Sequence, residues 1–147
     1  VSPSLLILIV VLAGAATGVQ SPTNALLTRA FGSPIGSALV SFSVGTGLLL
    51  ATVLALGVRA NWSAARALPW YAYVGGAYGA LFVSVAAYAA PRLGVGVTLI
   101  MLVAGQLVAA MLIDNYGLFG LARQPLSLAR LAGVALVIAG VILVRRG

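Results

Sequence analysis

Five apolar runs, each near the ~20 residues that cross a bilayer as a helix, are separated by breaks carrying Arg, Pro, Asn or Trp. They extend from Leu5 to Leu27, Pro34 to Val58, Leu68 to Ala90, Val95 to Ile113 and Leu128 to Val144. The runs do not alternate between polar and apolar residues, which rejects the short strands of a membrane barrel. The expected fold is therefore an all-α membrane protein, with residues 1–147 forming one transmembrane domain of five helices. Short connections make consecutive helices antiparallel neighbours in a bundle, and an odd number of spans puts the termini on opposite sides. Trp62, Trp70, Tyr71 and Tyr73 cluster around the second connection and third span, as an interfacial aromatic belt does. Residues 1 to 13 carry no basic side chain, so the first span is expected to be retained rather than cleaved as a signal peptide.

Composition narrows the chemistry. Charged residues make up 6% of the chain against 63% hydrophobic ones, far from the quarter typical of soluble domains. There is no cysteine and no histidine, and Asp114 is the only acid. Disulfides, thiolate chemistry, conventional zinc sites, paired carboxylates and Ser-His-Asp triads are thereby excluded, so no enzymatic activity, metal or cofactor is expected. The net charge of +7 does not point to nucleic acid, because the arginines sit singly or in one pair at span ends, where they act as headgroup-level anchors.

Those arginines are also evenly divided. On the side of the N-terminus lie Arg59, Arg66, Arg123 and Arg130; on the opposite side lie Arg29, Arg92, Arg145 and Arg146. A protein of fixed orientation normally has an Arg/Lys excess in its cytoplasmic loops. An even count suits a chain that inserts both ways and forms an antiparallel homodimer, supplying by association the inverted repeat that larger transporters carry in one chain. The competing explanation is orientation fixed by another feature, such as the position of Arg130 inside the last helix or an unseen partner.

The faces of the helices suggest where polar chemistry sits. In GVQSPTNALL, at one hundred degrees per residue, Thr17, Gln20 and Asn24 share one side of the first helix, with Gly18 and Pro22 on the other. Pro22 removes the hydrogen bond to the Gly18 carbonyl and is expected to kink the helix. Ending the span at Gln20 would leave only about fifteen residues from Leu5, so the polar stripe is expected inside the membrane, facing a water- or substrate-filled cavity or bonding to neighbouring helices. Tyr78 and Gln106 sit at similar depth in the third and fourth spans, and Ser41 is a further cavity candidate on a small stripe with Ser37 and Gly45. Two amides and a phenol suit a neutral polar solute better than an unpaired charge. Asp114 ends the fourth span beside Asn115 and Gly117; it either orders the following loop by pairing with an arginine or carries a coupling proton. In the last span Gly133, Ala139 and Gly140, with Ala132, form a small-residue seam expected to pack across a dimer interface or within one subunit, with the valines at 134, 137, 141 and 144 on a lipid face.

In order, GVQSPTNALL, SALVSFSVGTGLLL, PWYAYVGGAYGALFV, PRLGVGVTLIMLVAGQLVAAMLIDNYGLFG and QPLSLARLAGVALVIAGVILV resemble the YdcZ-type five-helix family of the drug/metabolite transporter superfamily. The most specific parts are Gln20 with Asn24, Ser41 to Gly45, Ala104 to Gln106, and Ile113 with Asp114. The resemblance implies a multi-pass protein of the bacterial inner membrane, related to ten-helix transporters with inverted repeats and to small four-helix multidrug exporters. Its members occur singly, as paired chains or fused, which leaves a heterodimer with a paired homologue open beside the homodimer. The small exporters carry an essential glutamate in their first helix; here Gln20 and Asn24 are the nearest polar groups. The function expected from residues and resemblance together is a dimeric secondary transporter of a small polar metabolite or drug-like solute, working by alternating access at a midplane site. A passive pore with the same lining and an accessory membrane subunit are the alternatives.

Overall fold

A computed structural model describes residues 2–146, which are helical apart from short connections, with no strand among the described residues. They fall into two compact units, one reaching Pro91 and the other beginning at Arg92.

In the first unit, helix α1 runs from Pro3 to Phe31. The Ser2 Oγ accepts from the Leu5 N–H at 3.3 Å and Pro3 takes the first helical position, two features that start a helix where backbone donors lack partners. Gly32 ends it in the left-handed region at φ 66°. At 29 residues the helix is about 43 Å long, well over the ~30 Å of a hydrocarbon layer. It continues through Pro22, so the polar stretch belongs to the helix and does not end it. Pro22 offers no backbone donor to the Gly18 carbonyl. Next to that gap, the Thr23 hydroxyl donates to the Gln20 carbonyl at 2.8 Å and to that of Val19 at 3.2 Å.

Only Gly32 and Ser33 separate α1 from α2, which spans Pro34–Leu56. Ser33 accepts from the Gly36 N–H at 3.2 Å, Pro34 follows it, and Gly57 closes the helix at φ 61°. So short a link makes the two helices an antiparallel hairpin, and they pack against each other. Their contact holds small residues: Ala25 on α1, and Ser37 and Ala38 on α2, are buried. In a bilayer, where apolar side chains gain nothing by leaving lipid for protein, such small residues are what let backbones approach.

The third expected span begins later than the sequence suggests. A short helix α3, Trp62–Arg66, precedes it, capped by Asn61, whose Oδ1 accepts from the Ala64 N–H at 3.1 Å. Pro69 and a 3₁₀ turn over Trp70–Tyr73 follow, with the Tyr73 hydroxyl donating to the Ala65 carbonyl. Helix α4 then covers Gly75–Leu93. The continuous helix expected from Leu68 is thus corrected: WYAY is apolar enough to count towards a span, but the turn folds it back onto α3. Gly79 of α4 is in close contact with α2, since a Cβ there would lie 3.0 Å from Phe42 Cζ.

In the second unit, α5 runs Val95–Tyr116 and ends at Gly117, φ 62°. A loop with a 3₁₀ turn at Leu118–Gly120 leads to α6, Leu128–Arg146. Ser127 caps α6, accepting from the Arg130 N–H at 3.2 Å. The two helices pack together. Along α6, Val134, Val137, Gly140 and Val141 are half-buried, whereas Ala132, Gly133, Leu136, Ala139 and Val144 are exposed. Three of the four valines thus lie on a partly covered side of α6 and not on the lipid face that the sequence suggested, while Val144 is exposed.

Four of the described helices, α1, α2, α5 and α6, are long and apolar enough to cross a membrane. Helix α4 has 19 residues but is diluted by Gly75, Gly76, Gly79, Tyr78, Ser84 and Tyr88, with Pro91 and Arg92 near its end. The chain leaves Leu5 to Leu12 exposed along consecutive turns of α1, all between 48% and 64%. An apolar surface that continuous is at home in lipid and not in water.

Candidate functional site

The polar residues of α1 differ sharply in their surroundings. Asn24 is 2% exposed and Ser21 3%, whereas Gln20 is half-buried and Thr17 is exposed, its hydroxyl donating to the Ala13 carbonyl at 3.1 Å. The buried polar face is therefore Ser21 and Asn24, continued one turn later by Thr28, with Gln20 at its edge. Ser21 and Thr28 follow from the same hundred-degree count that grouped Thr17 with Asn24: all four lie within about sixty degrees of one another.

One hydrogen bond fixes how this face meets α2. The Ser37 hydroxyl, fully buried, donates to the Asn24 carbonyl at 2.7 Å. Because the hairpin is antiparallel and both helices rise alike, three residues back along α1 correspond to three forward along α2, which brings Ser21 to the level of Val40, the residue before Ser41. Ser41 is half-buried. The buried residues of α1 and α2 are thus all small or amide-bearing: Ser21, Asn24 and Ala25 on α1, Ser37 and Ala38 on α2. Ser21 Oγ and Thr28 Oγ1 are buried without a hydrogen-bond partner among the described residues. Buried hydroxyls in a membrane protein usually bond back to the carbonyl one turn earlier, so two orphans on one face are two donors available to a water or a solute.

Depth can be read from Arg29, in the last turn of α1, if that side chain marks the headgroup level. At ~1.5 Å per residue, Asn24 lies about 7 Å and Gln20 about 13 Å inward from it. Measured so, Gln20 falls within the ~30 Å hydrocarbon layer and Asn24 near its edge, both on the half nearer Arg29.

The other expected site residues are distributed differently. Tyr78, on α4 of the first unit, is 68% exposed and has no share in the buried face that holds Asn24. Gln106 lies on α5, in the second unit, and is exposed. Gly133 and Gly140 of α6 have open space where a side chain would be, and no described residue of α6 is buried.

Asp114 stands at the other kind of polar cluster. Its Oδ2 lies 3.5 Å from Arg130 Nη1, each side chain about two-fifths exposed at 40% and 38%. The same guanidinium donates to the Gln124 carbonyl at 3.4 Å and to Gln124 Oε1 at 3.3 Å. The Gln124 N–H donates to the Asp114 carbonyl at 2.8 Å, Arg123 Nε to the Asn115 carbonyl at 2.8 Å, and the Leu126 N–H to Asn115 Oδ1 at 3.3 Å. These bonds fold the 117–127 loop back onto the end of α5. Gly117 makes the tight turn possible: a Cβ there would meet the Leu121 carbonyl oxygen at 3.2 Å. Of the two roles expected of Asp114, this geometry is that of an arginine-paired loop anchor.

Residues 5–143 match the family DMT_YdcZ, whose description is "Putative inner membrane exporter, YdcZ". No curated protein and no solved structure matches the chain. The match covers both helical units, the polar face of α1 and the Asp114 loop, and it agrees with the apolar helices long enough to span a bilayer. The chain belongs to the YdcZ family, and is a membrane transporter of the inner membrane that crosses it several times.

Proposed function

We propose that this chain is a secondary transporter that moves a small, uncharged polar solute by alternating access, with the buried polar face of α1 as its binding surface. The observation that carries the proposal is Asn24, 2% exposed and next to an unpartnered Ser21 hydroxyl, on a helix whose large apolar side chains from Leu5 to Leu12 are turned outwards. A helix that needed only to cross lipid would carry alanine or leucine here, since polar groups in the membrane are costly unless they bond to something. The amide and hydroxyls offer donors and acceptors without net charge, which favours a neutral polar metabolite or drug-like molecule over a strong cation. Gln20, at the edge of the face, would meet the solute as it enters. The chemistry calls for no enzyme activity and no cofactor.

In this proposal α4 is the fifth span, with its glycines and tyrosines covered by protein rather than lipid. Two five-helix subunits associate antiparallel, which the four-against-four arginine count permits. The open small-residue side of α6, with Gly133, Ala139 and Gly140, is suited to that contact, because a helix can approach closely where side chains are missing. A paired homologue would satisfy the same surface.

Reconstitution into liposomes with a panel of neutral metabolites tests the transport claim. Asn24→Leu should abolish uptake of the transported solute while the protein still inserts and elutes as the wild type does. Undiminished uptake by that variant would reduce the polar face to helix-packing contacts.

A further inference from the structure

Between α5 and α6 lies an open groove of about 320 Å³, lined by Val108, Met111 and Leu112 on one helix and Leu131, Val134 and Ile138 on the other. Leu126 of the loop and Ala135 complete it, and every lining side chain is apolar. A void of this size in a bilayer cannot stay empty without forfeiting dispersion contacts along both walls.

The rim of the groove is chemically different. Leu126 and Leu131 flank the end of the loop that carries Arg123 and the first turn of α6 that carries Arg130, and Met111 lies one turn below Asp114 and Asn115. Arg130 is paired with Asp114 at 3.5 Å. Arg123 uses Nε to hold the Asn115 carbonyl at 2.8 Å, a bond that does not engage its two terminal nitrogens. With two guanidiniums and one carboxylate, the rim carries one positive charge in excess. It lies at the end of a membrane span, where phosphates of the bilayer are found.

We infer that the α5–α6 groove binds a phospholipid of the surrounding bilayer with an anionic headgroup, its acyl chain lying along Val108, Met111, Val134 and Ile138 and its phosphate facing Arg123 and Arg130. An apolar slot with a cationic rim matches an amphiphile that is apolar along its length and negative at one end. The Asp114 carboxylate opposes the headgroup, but its charge is offset by Arg130, which leaves Arg123 as the group that selects for negative charge. A cationic side chain near a membrane surface is worth enough to shift affinity about fivefold for an anionic headgroup. The bound lipid would brace the loop that Asp114 and Asn115 hold against α5.

Native mass spectrometry of the purified protein, titrated with phosphatidylglycerol or phosphatidylethanolamine of identical acyl chains, tests the inference. The wild type should hold phosphatidylglycerol about fivefold more tightly. Arg123→Gln should remove that preference and Arg123→Lys should keep it, which separates charge from the hydrogen bond to Asn115. Ala135→Trp, which fills the slot and leaves the loop intact, should weaken retention of both lipids. Equal retention of the two lipids by the wild type, or retention unchanged in both Arg123→Gln and Ala135→Trp, would overturn the inference. So would efficient disulfide formation between two copies carrying Ala135→Cys, because the groove would then be occupied by a second chain.

Discussion

Replacing Ser37 by alanine removes one hydroxyl and, with it, the bond by which that hydroxyl holds α2 to the Asn24 carbonyl. The bond is 2.7 Å long and its donor is fully buried, so water does not compete for it. Interhelical hydrogen bonds in membranes are worth ~0.6 kcal/mol on average and up to ~1.7 kcal/mol. Two features decide where this one falls. The short, dry geometry moves it up. Against that, separated helices would let the Ser37 hydroxyl bond back to its own helix, and the Asn24 carbonyl keeps its helical partner when the hydroxyl is lost, so no group is left stranded. About 1 kcal/mol is the balance, near a fivefold change in the equilibrium between packed and separated helices. Reversible unfolding in mixed micelles with increasing SDS measures it. Ser43→Ala is the control, because the Ser43 hydroxyl donates at 2.9 Å to Leu39 on its own helix and is exposed. Ser43→Ala should change stability by no more than a few tenths of a kcal/mol. If Ser37→Ala and Ser43→Ala proved equal, the argument that this bond sets the α1–α2 register would fail.

Other substitutions follow from the same reasoning. Gly79→Ala brings a Cβ to 3.0 Å from Phe42 Cζ and should lose the ~1 kcal/mol that alanine gains over glycine within a helix; with Phe42→Leu present the gain should return, and additivity in that double-mutant cycle would contradict the contact. Arg130→Gln removes an ion pair that its exposure limits to ~1 kcal/mol at most, together with two bonds to Gln124. Tryptic cleavage after Arg123 should then quicken up to about fivefold, with cleavage after Arg59 and Arg66 unchanged as the internal reference. Equal rates in the two proteins would mean that the loop is held by its Asn115 bonds alone.

Much of the architecture could be read from the sequence because breaks between helices are chemically plain. Ser33-Pro34, Gly57, Gly94 and Ser127 each stop or start a helix by a local rule, and the four most apolar helices lie within a few residues of their expected bounds. The start of α4 was hidden because hydropathy counts Trp70 and Tyr71 as membrane residues, whereas their fold depends on Pro69 and on a tyrosine hydroxyl reaching a carbonyl eight residues away. Asn61, an N-cap type of residue just before WSAAR, was the local signal for α3. On α6, the division into a small face and a valine face was visible, but which of them meets α5 is decided by packing and not by residue type. Asn24 stood out as an amide in an apolar run. Ser37 was visible only as part of a small stripe, and Ser21 and Thr28 did not stand out, since serine and threonine blend into membrane helices by bonding to their own backbone. Only the structure shows that two of those hydroxyls lack such a bond.

The central claim is that the polar face of α1 opens to water during transport. The chain contains no cysteine, so a single Gln20→Cys can be labelled with a charged, water-soluble thiol reagent in native membranes and compared with Val10→Cys on the lipid-exposed part of the same helix. Thiolate, the reactive form, persists only where water reaches it. The account predicts rapid labelling of Gln20→Cys, slowed by a transported solute, and none of Val10→Cys. Gln20→Cys as unreactive as Val10→Cys would contradict it.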